Sequence, residues 1–221
     1  MLQLLKKKTL VEEKLESYSS DATFEVVEAY NSLVTNLIHL PIDNKCKMIA
    51  ITSSGYGEGK SSVAINLASA LAANLVDKKV LLVDSDFRCS KVYEFMKGSD
   101  AKKVKGVADY LDDDKTALNI LNSNVSNLDV VYAGKTKSNP TALIRSEKMR
   151  EVLKSFEDKY DYVIIDTPPV NVYSDTLFLA DRVSGFIIST KRNISSVSEI
   201  EKLTDRINSA GSEVLGFVYS E

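Results

Sequence analysis

Lys60 and Ser61 close a glycine-rich stretch, Ser53-Ser54-Gly55-Tyr56-Gly57-Glu58-Gly59-Lys60-Ser61-Ser62, set between the apolar residues 48–51 and the apolar residues 63–68. Gly55, Gly57 and Gly59 allow backbone N–H groups to converge on the oxygens of a phosphate. A helix opening at Lys60 would add the positive end of its dipole. Residues 54–61 fit the pattern G-x-x-x-x-G-K-[ST], with Ser54 in place of the first glycine. In that pattern Lys60 reaches the terminal phosphates of a nucleotide and the Ser61 hydroxyl ligates Mg²⁺, while Glu58 and Ser62 complete the loop and the first helical turn. A glycine-rich turn carrying a surface lysine is the bland alternative. The strand expected before the loop and the helix expected after it argue against that alternative.

Carboxylates follow two other apolar runs. Asp84 and Asp86, in VLLVDSDFR, are one residue apart and would point to the same side of an extended chain, where both could face one metal or one incoming hydroxyl. Asp166, in YVIIDTPPV, closes a hydrophobic run in the manner of the carboxylate that holds Mg²⁺ beside a P-loop nucleotide. Taken singly each is modest, because Asp also ends strands as a turn former. Together with the loop they gather Lys60, Asp84, Asp86 and Asp166 as one constellation. The only histidine, His39, stands among Leu37, Ile38 and Leu40 and reads as a packing residue. A general base must then be a carboxylate, with Asp84 or Asp86 as the candidates.

The elements that must position these side chains alternate along the chain. Apolar runs at 48–51, 80–83, 128–132, 162–165, 186–188 and 214–218 read as strands buried on both faces of a parallel sheet. Helical patterns fall near 60–75, 104–111, 140–159, 174–182 and 195–210, the last capped by Ser195 or Ser196 with Glu199 three residues after Ser196. The resulting expectation is an α/β fold, a doubly wound, mostly parallel sheet flanked by helices. Ligands of such sheets collect beyond the carboxyl ends of the strands, where Lys60, Asp84, Asp86 and Asp166 all lie. Residues 1–45 read as an N-terminal helical arm, with apolar positions at Phe24, Val27, Tyr30, Val34, Leu37 and Ile38. Residues 46–221 read as the P-loop domain, and the whole as a single globular unit.

Composition narrows the function classes. The 221 residues are 44% hydrophobic and 27% charged, ordinary for a globular protein. A net charge of −3 speaks against a dedicated nucleic-acid binder. Cys46 and Cys89 match no zinc spacing and read as isolated reduced thiols. There is no run of about 18 apolar residues, and the lysines of MLQLLKKKTL follow its apolar stretch, the reverse of a secretory signal. The expected location is therefore cytoplasmic. Lys102, Lys103 and Lys105, like Asp112, Asp113 and Asp114, read as solvated loop faces.

The motifs GYGEGKS, VLLVDSDFR and VIIDTPP, with AGKTKSNPTALIRS (133–146) between the second and third, resemble the bacterial tyrosine kinases of capsule and exopolysaccharide synthesis, the BY-kinases. The likeness is collinear from about residue 24 to about residue 218, and D-x-D-x-R is its most specific part. It implies ATP- and Mg²⁺-dependent phosphorylation of tyrosine hydroxyls on protein substrates. By the resemblance, Lys60 contacts the terminal phosphates; Ser61, Asp86 and Asp166 arrange Mg²⁺; and Asp84 takes the tyrosine proton while standing within the metal site. Gly55, Gly57, Glu58, Gly59, Ser62 and Arg88 are the further residues expected at the nucleotide. A membrane-spanning adaptor is the implied activating partner, which would recruit the protein to the inner face of the cell membrane.

Three positions depart from the family pattern. The family carries a C-terminal tyrosine cluster, whereas this sequence runs to Val218-Tyr219-Ser220-Glu221 with its ten tyrosines dispersed. The ring-forming E-x-x-R-x-x-R is degenerate at Glu28, Asn31 and Val34, which weakens the expectation of a homo-oligomer. Ser220 stands where the family places an adenine-recognising Asn. The rival readings are a positioning-type P-loop ATPase switch, a small-molecule P-loop kinase, and a nucleotide-binding, non-catalytic member of the same family. The signature lysine of the first would fall at Gly55. The second should cluster lid arginines, whereas Arg145, Arg150, Arg182, Arg192 and Arg206 are scattered.

Overall fold

The strand runs form because they can be buried on both sides at once. In the computed structural model, which describes residues 24–42, 46–97, 104–136 and 138–220, strands β2 (Val80–Asp84) and β5 (Tyr162–Asp166) are buried at every position. Strands β1 (Lys47–Ser53) and β6 (Gly185–Lys191) are buried at all but one residue each. With β3 (Leu121–Asn122), β4 (Leu128–Val131) and β7 (Val214–Ser220) they make a seven-stranded sheet in the order β3-β4-β2-β5-β1-β6-β7. Every pairing is parallel except that of β3 with β4, an antiparallel edge.

Alternate residues of each strand face opposite layers. Ile49, Ile51, Leu82 and Ile164 pack with helices α1 (Phe24–Ile38) and α2 (Lys60–Asn74). Met48, Leu81, Val83, Val163 and Ile165 face the other way, toward Met149, Val152, Leu153 and Phe156 of α6 (Glu147–Glu157). Ala50, Phe186 and Ile188 meet Leu203 and Ile207 of α7 (Val197–Ser209). Period-two alternation with a covered layer on each face is the geometry of a doubly wound sheet, as the sequence predicts.

Helix α2 lies between the sheet and α1, and eleven of its fifteen residues are buried. Its small residues, Ala64, Ala68, Ser69, Ala70 and Ala72, let it approach both. Helix α1 presents Val26, Tyr30, Leu33, Val34 and Leu37 to it at spacings of three and four. Residues 1–23 and 43–45 of the expected arm lie outside the described residues.

Several expectations are corrected. The helix expected near 140–159 is two, α5 (Pro140–Arg145) and α6, because Ser146 turns out at φ −65°, ψ 150° and caps the second by accepting from the Met149 N–H at 3.1 Å. The helix near 174–182 is a short 3-10 turn, Asp175–Leu179. The one near 104–111 begins at Val107 and ends at Asp112, as α4. Helix α3 (Val92–Lys97) and strand β3 carry too few residues to show a period and were not anticipated. His39 is exposed rather than packed, and its Nδ1 donates to the Thr35 carbonyl at 2.7 Å. Asp112, Asp113 and Asp114 are exposed as expected, whereas Lys102 and Lys103 lie outside the described residues.

Candidate functional site

Strand β1 ends at Ser53 and α2 begins at Lys60, so residues 54–59 span the whole connection at the carboxyl edge of the sheet. Gly57 and Gly59 hold φ values of 76° and 77°. Only glycine takes that left-handed region without strain, so these two positions need their glycines. Gly59 is the residue from which α2 springs, and the orphan N–H groups of the first turn open onto the loop. Ser61 is buried in that turn and Ser62 is partly exposed there.

The loop does not use all its expected groups alike. The Gly55 N–H donates to Glu58 Oε2 at 2.6 Å, and the Ser54 hydroxyl donates to Glu58 Oε1 at 2.7 Å. Glu58 is only 1% exposed, so its carboxylate is turned into the protein. Tyr56 is 52% exposed, and its hydroxyl donates to that of Tyr173 at 2.6 Å. That hydrogen bond, first of several causes, pushes the Tyr56 phenol up to about 12.

The acidic residues converge as the chain order of the strands requires. Strand β5 runs between β1 and β2, with Asp166 in register with Ile51 on one side and Asp84 on the other. Neighbouring strands stand less than 5 Å apart, so Asp84 and Asp166 are adjacent carboxylates at one level of the sheet. Both are 0% exposed. The turn after Asp166 is braced on β1: the Thr167 N–H and hydroxyl donate to the Ile51 carbonyl at 3.1 and 2.8 Å, and the Val170 N–H donates to the Ser53 carbonyl at 3.0 Å.

Asp86 arrives by a turn rather than along an extended strand. The Asp86 N–H donates to Asp84 Oδ1 at 3.1 Å, while the N–H groups of Arg88 and Cys89 donate to Asp86 Oδ1 at 3.2 and 2.9 Å. The reading of Asp84 and Asp86 as same-side neighbours on an extended chain is thus replaced by a carboxylate-capped turn, the local hydrogen bonding for which Asp is suited. That turn leaves Asp86 Oδ2 3.3 Å from Lys60 Nζ. Lys60, Asp86, Asp84 and Asp166 therefore form one connected group.

Burial sets the electrostatics. It lifts Asp84 well above the usual carboxylate range, with the Asp166 charge adding and the 2.6 Å hydrogen bond donated by Ser90 Oγ opposing. It lifts Asp166 to about 7, against the lowering effect of Lys60. The Ser61 hydroxyl and the Thr167 N–H also favour its charged form, yet neither Asp166 oxygen is held by a well-formed hydrogen bond. A buried carboxylate so weakly satisfied is costly, and a cation beside it would relieve the cost. Among the described residues no group of three or more His, Cys, Asp or Glu is arranged to hold a metal on side chains alone. Mg²⁺ rarely needs such a cage, since one or two carboxylates plus phosphate oxygens and water complete its shell. The buried Ser61, Asp86 and Asp166 suit that role.

Arg88 stands apart from the phosphate loop. Its Nε is 2.6 Å from Asp175 Oδ2, its Nη2 donates to Thr141 Oγ1 at 3.0 Å, and its guanidinium lies 4.2 Å over the Tyr173 ring. Thr141 Oγ1 in turn donates to Asp175 Oδ1 at 2.6 Å. In the structure this side chain braces three segments instead of reaching the loop at Lys60. The sequence gives no signal for Tyr173 or Asp175, which follow no motif, and Thr141 is marked only by its place after the Asn139-Pro140 cap. Of the family's ring positions, Glu28 accepts from Asn31 at 3.2 Å, Asn31 accepts from Asn74 at 2.9 Å, and Val34 is buried in the core.

Comparison with known proteins fits this geometry. Residues 46–214 match the family model described as an AAA domain. Tyrosine-protein kinase CpsD of Streptococcus agalactiae is 33% identical over 195 residues, covering 88% of this chain and 82% of CpsD. The kinase domain of Escherichia coli tyrosine kinase ETK superposes with a TM-score of 0.80 at 28% identity, covering 88% of this chain and 74% of that one. The septum site-determining protein MinD of Pyrococcus horikoshii, solved with Mg-ADP, gives a TM-score of 0.64 at 25% identity, covering 79% and 70%.

Proposed function

The chain belongs to the bacterial capsule and exopolysaccharide tyrosine kinases, built on the P-loop ATPase fold, and from that premise we propose that it transfers the γ-phosphoryl group of ATP to tyrosine hydroxyls of protein substrates. The observation that carries the reading is the Lys60–Asp86 pair at the end of a glycine loop, beside the fully buried, weakly satisfied Asp166 that closes β5.

Phosphoryl transfer asks the protein for positioning and charge neutralisation more than for covalent chemistry. The N–H groups of the Gly57 and Gly59 turn and of the first turn of α2 cradle the phosphates. Lys60, whose ammonium lies 3.3 Å from Asp86 Oδ2, reaches the terminal phosphates. Ser61, Asp86 and Asp166 would hold Mg²⁺, which when bound neutralises charge on the phosphate oxygens. Asp84 accepts the phenol proton as the tyrosine oxygen bonds to phosphorus and ADP departs. A base must be ionised, and a cation held beside Asp84 would offset the burial and the Asp166 charge that otherwise keep its proton on. Since Asp84 is fully buried, the exposed Ser90, hydrogen-bonded to it, marks the side from which the substrate approaches.

The same proposal includes a membrane-spanning adaptor of the polysaccharide co-polymerase type as activating partner, with recruitment to the inner face of the membrane. Among the described residues no helix is long and apolar enough to cross a membrane. It also takes residues 46–221 as the catalytic domain, with α1 as its N-terminal extension.

The test is incubation of the purified protein with Mg-ATP and a tyrosine-bearing protein substrate, followed by phosphotyrosine detection, with Lys60→Met as control. Phosphotyrosine that depends on Lys60 supports the kinase. ATP turnover without phosphotyrosine would give this family member the activity of a switch ATPase, and binding without turnover that of a non-catalytic member.

A further inference from the structure

A carboxylate inside a phosphate-binding loop is electrostatically unfavourable, since it repels the ligand the loop exists to hold. Glu58 occupies such a position two residues before Lys60, yet its side chain is buried and spoken for. Oε1 accepts from the hydroxyls of Ser54, at 2.7 Å, and of Ser195; Oε2 accepts from the Gly55 N–H at 2.6 Å. The Glu58 carbonyl accepts from the Ser189 hydroxyl as well. Three donors converge on one carboxylate, and one of them belongs to a segment 137 residues away.

That segment is the connection between β6 and α7. Ser195 is itself fixed there, because its Oγ accepts from the Lys191 N–H at 2.8 Å while donating to Glu58. The strands on this side of the loop carry no carboxylate at their described ends: Ser189, Thr190 and Lys191 close β6, and Ser220 closes β7, which is parallel to β6. The strands on the other side, β5 and β2, end in Asp166 and Asp84. Phosphates seated over Lys60 therefore leave the nucleoside one direction clear of the buried carboxylates, over the ends of β6 and β7 toward the β6–α7 connection.

We propose that Glu58 is a positioning residue that pins the phosphate loop to the β6–α7 connection through Ser195, so that the grip on the phosphates and the shape of the nucleoside-binding edge are set together. This inference rests on the nucleotide reading given above. It departs from the expectation that Glu58 contacts the nucleotide, because its carboxylate points into the protein. Glutamate suits the task better than glutamine. An amide that offered its oxygen to Ser54 and Ser195 would set its NH₂ against the Gly55 N–H, and the reverse orientation would ask Ser195 to accept twice.

The experiment measures dissociation constants for Mg-ATP and for tripolyphosphate, which engages the phosphate loop alone, in wild type, Ser195→Ala, Glu58→Ala, Glu58→Gln and the double variant, with melting temperatures recorded for each. The expected result is that Ser195→Ala weakens ATP about tenfold while leaving tripolyphosphate within about twofold. Glu58→Ala should weaken both ligands, Glu58→Gln should lie between wild type and Glu58→Ala, and Ser195→Ala should add nothing on the Glu58→Ala background. A uniform loss tracking the melting temperature would reduce Glu58 to a fold-holding role and overturn the proposal. So would additive effects of the two alanine variants, or ATP binding in Ser195→Ala equal to wild type. ATP binding by the wild type is the internal reference: its absence would remove the nucleotide reading itself, a failure distinct from any ranking of the variants.

Discussion

Lys60 and Asp86 form a largely buried ion pair at the mouth of the phosphate loop, Nζ to Oδ2 3.3 Å, with their side chains 11% and 1% exposed. A triphosphate that binds the ammonium competes with Asp86 for it. Lys60→Met should thus act twice. It should weaken Mg-ATP at least tenfold by calorimetric titration, and it should destabilise the ligand-free protein by about 3 kcal/mol, because a buried carboxylate is left without its partner. Adding Asp86→Asn should restore most of the stability and none of the affinity, as read by denaturant unfolding.

The Asp84 and Asp166 pair predicts a pH dependence with a definite sign. Both carboxyls bind protons more tightly folded than unfolded, Asp166 at about 7 and Asp84 well above its usual range. Between the unfolded carboxylate pKa near 4 and these raised values the native state holds more protons, so this contribution to stability is present at low pH and lost as pH rises. Thermal unfolding in chelator should show the contribution of the pair declining from about pH 4 to about pH 7, isolated as the difference between wild type and Asp166→Asn. Saturating Mg-ATP should restore stability at the alkaline end. Ser90→Ala, which removes a hydrogen bond that favours ionised Asp84, should extend the decline to higher pH.

Arg88 predicts a stability effect more than a binding one. Its fork holds the buried Asp175 and Thr141, and its plane covers Tyr173. Lysine cannot reproduce a two-point contact and a stacked plane together. Arg88→Lys should cost about 1–2 kcal/mol by denaturant unfolding while changing the ATP dissociation constant less than threefold. A loss of affinity comparable with that of Lys60→Met would instead place the guanidinium at the nucleotide.

The degenerate ring motif predicts unequal tolerance of its two arginines. Val34 is 3% exposed and packs in the core between α1 and α2, so Val34→Arg must bury a charge or unseat the helix, at a cost of several kcal/mol. Asn31 is partly exposed; its side chain donates to Glu28 and accepts from Asn74, and its carbonyl accepts from Thr35. Asn31→Arg should shift stability by about 1 kcal/mol or less. Melting temperature together with light scattering separates the two and shows whether Arg at 31 promotes assembly.

The sheet was legible because its strands are apolar throughout, and the phosphate loop because glycine, lysine and serine at that spacing have few other uses. Asp84 and Asp166 declared themselves by ending such strands. What the sequence could not show was direction. Glu58 and Arg88 sit inside the right motifs, yet both side chains turn toward partners remote in sequence, Ser195 in one case and Asp175 in the other, and no local pattern encodes such meetings. The break at Ser146 was hidden because a single serine is compatible with a helix, and its role as a cap shows only in the backbone turn it takes. The packing reading of His39 failed because α1 ends at Ile38 and the turn after it leaves the ring exposed.

The central claim is that Lys60, Asp84, Asp86 and Asp166 act together on one ATP to phosphorylate tyrosine. The most direct measurement is the ratio of phosphotyrosine formed to ATP consumed, followed with γ-labelled ATP and a tyrosine-bearing substrate in wild type and Asp84→Asn. The account predicts a ratio near one in wild type and a fall of at least a hundredfold in transfer rate for Asp84→Asn, with Mg-ATP affinity retained within a few fold. Undiminished transfer in Asp84→Asn, or ATP consumed by the wild type without phosphotyrosine appearing, would contradict it.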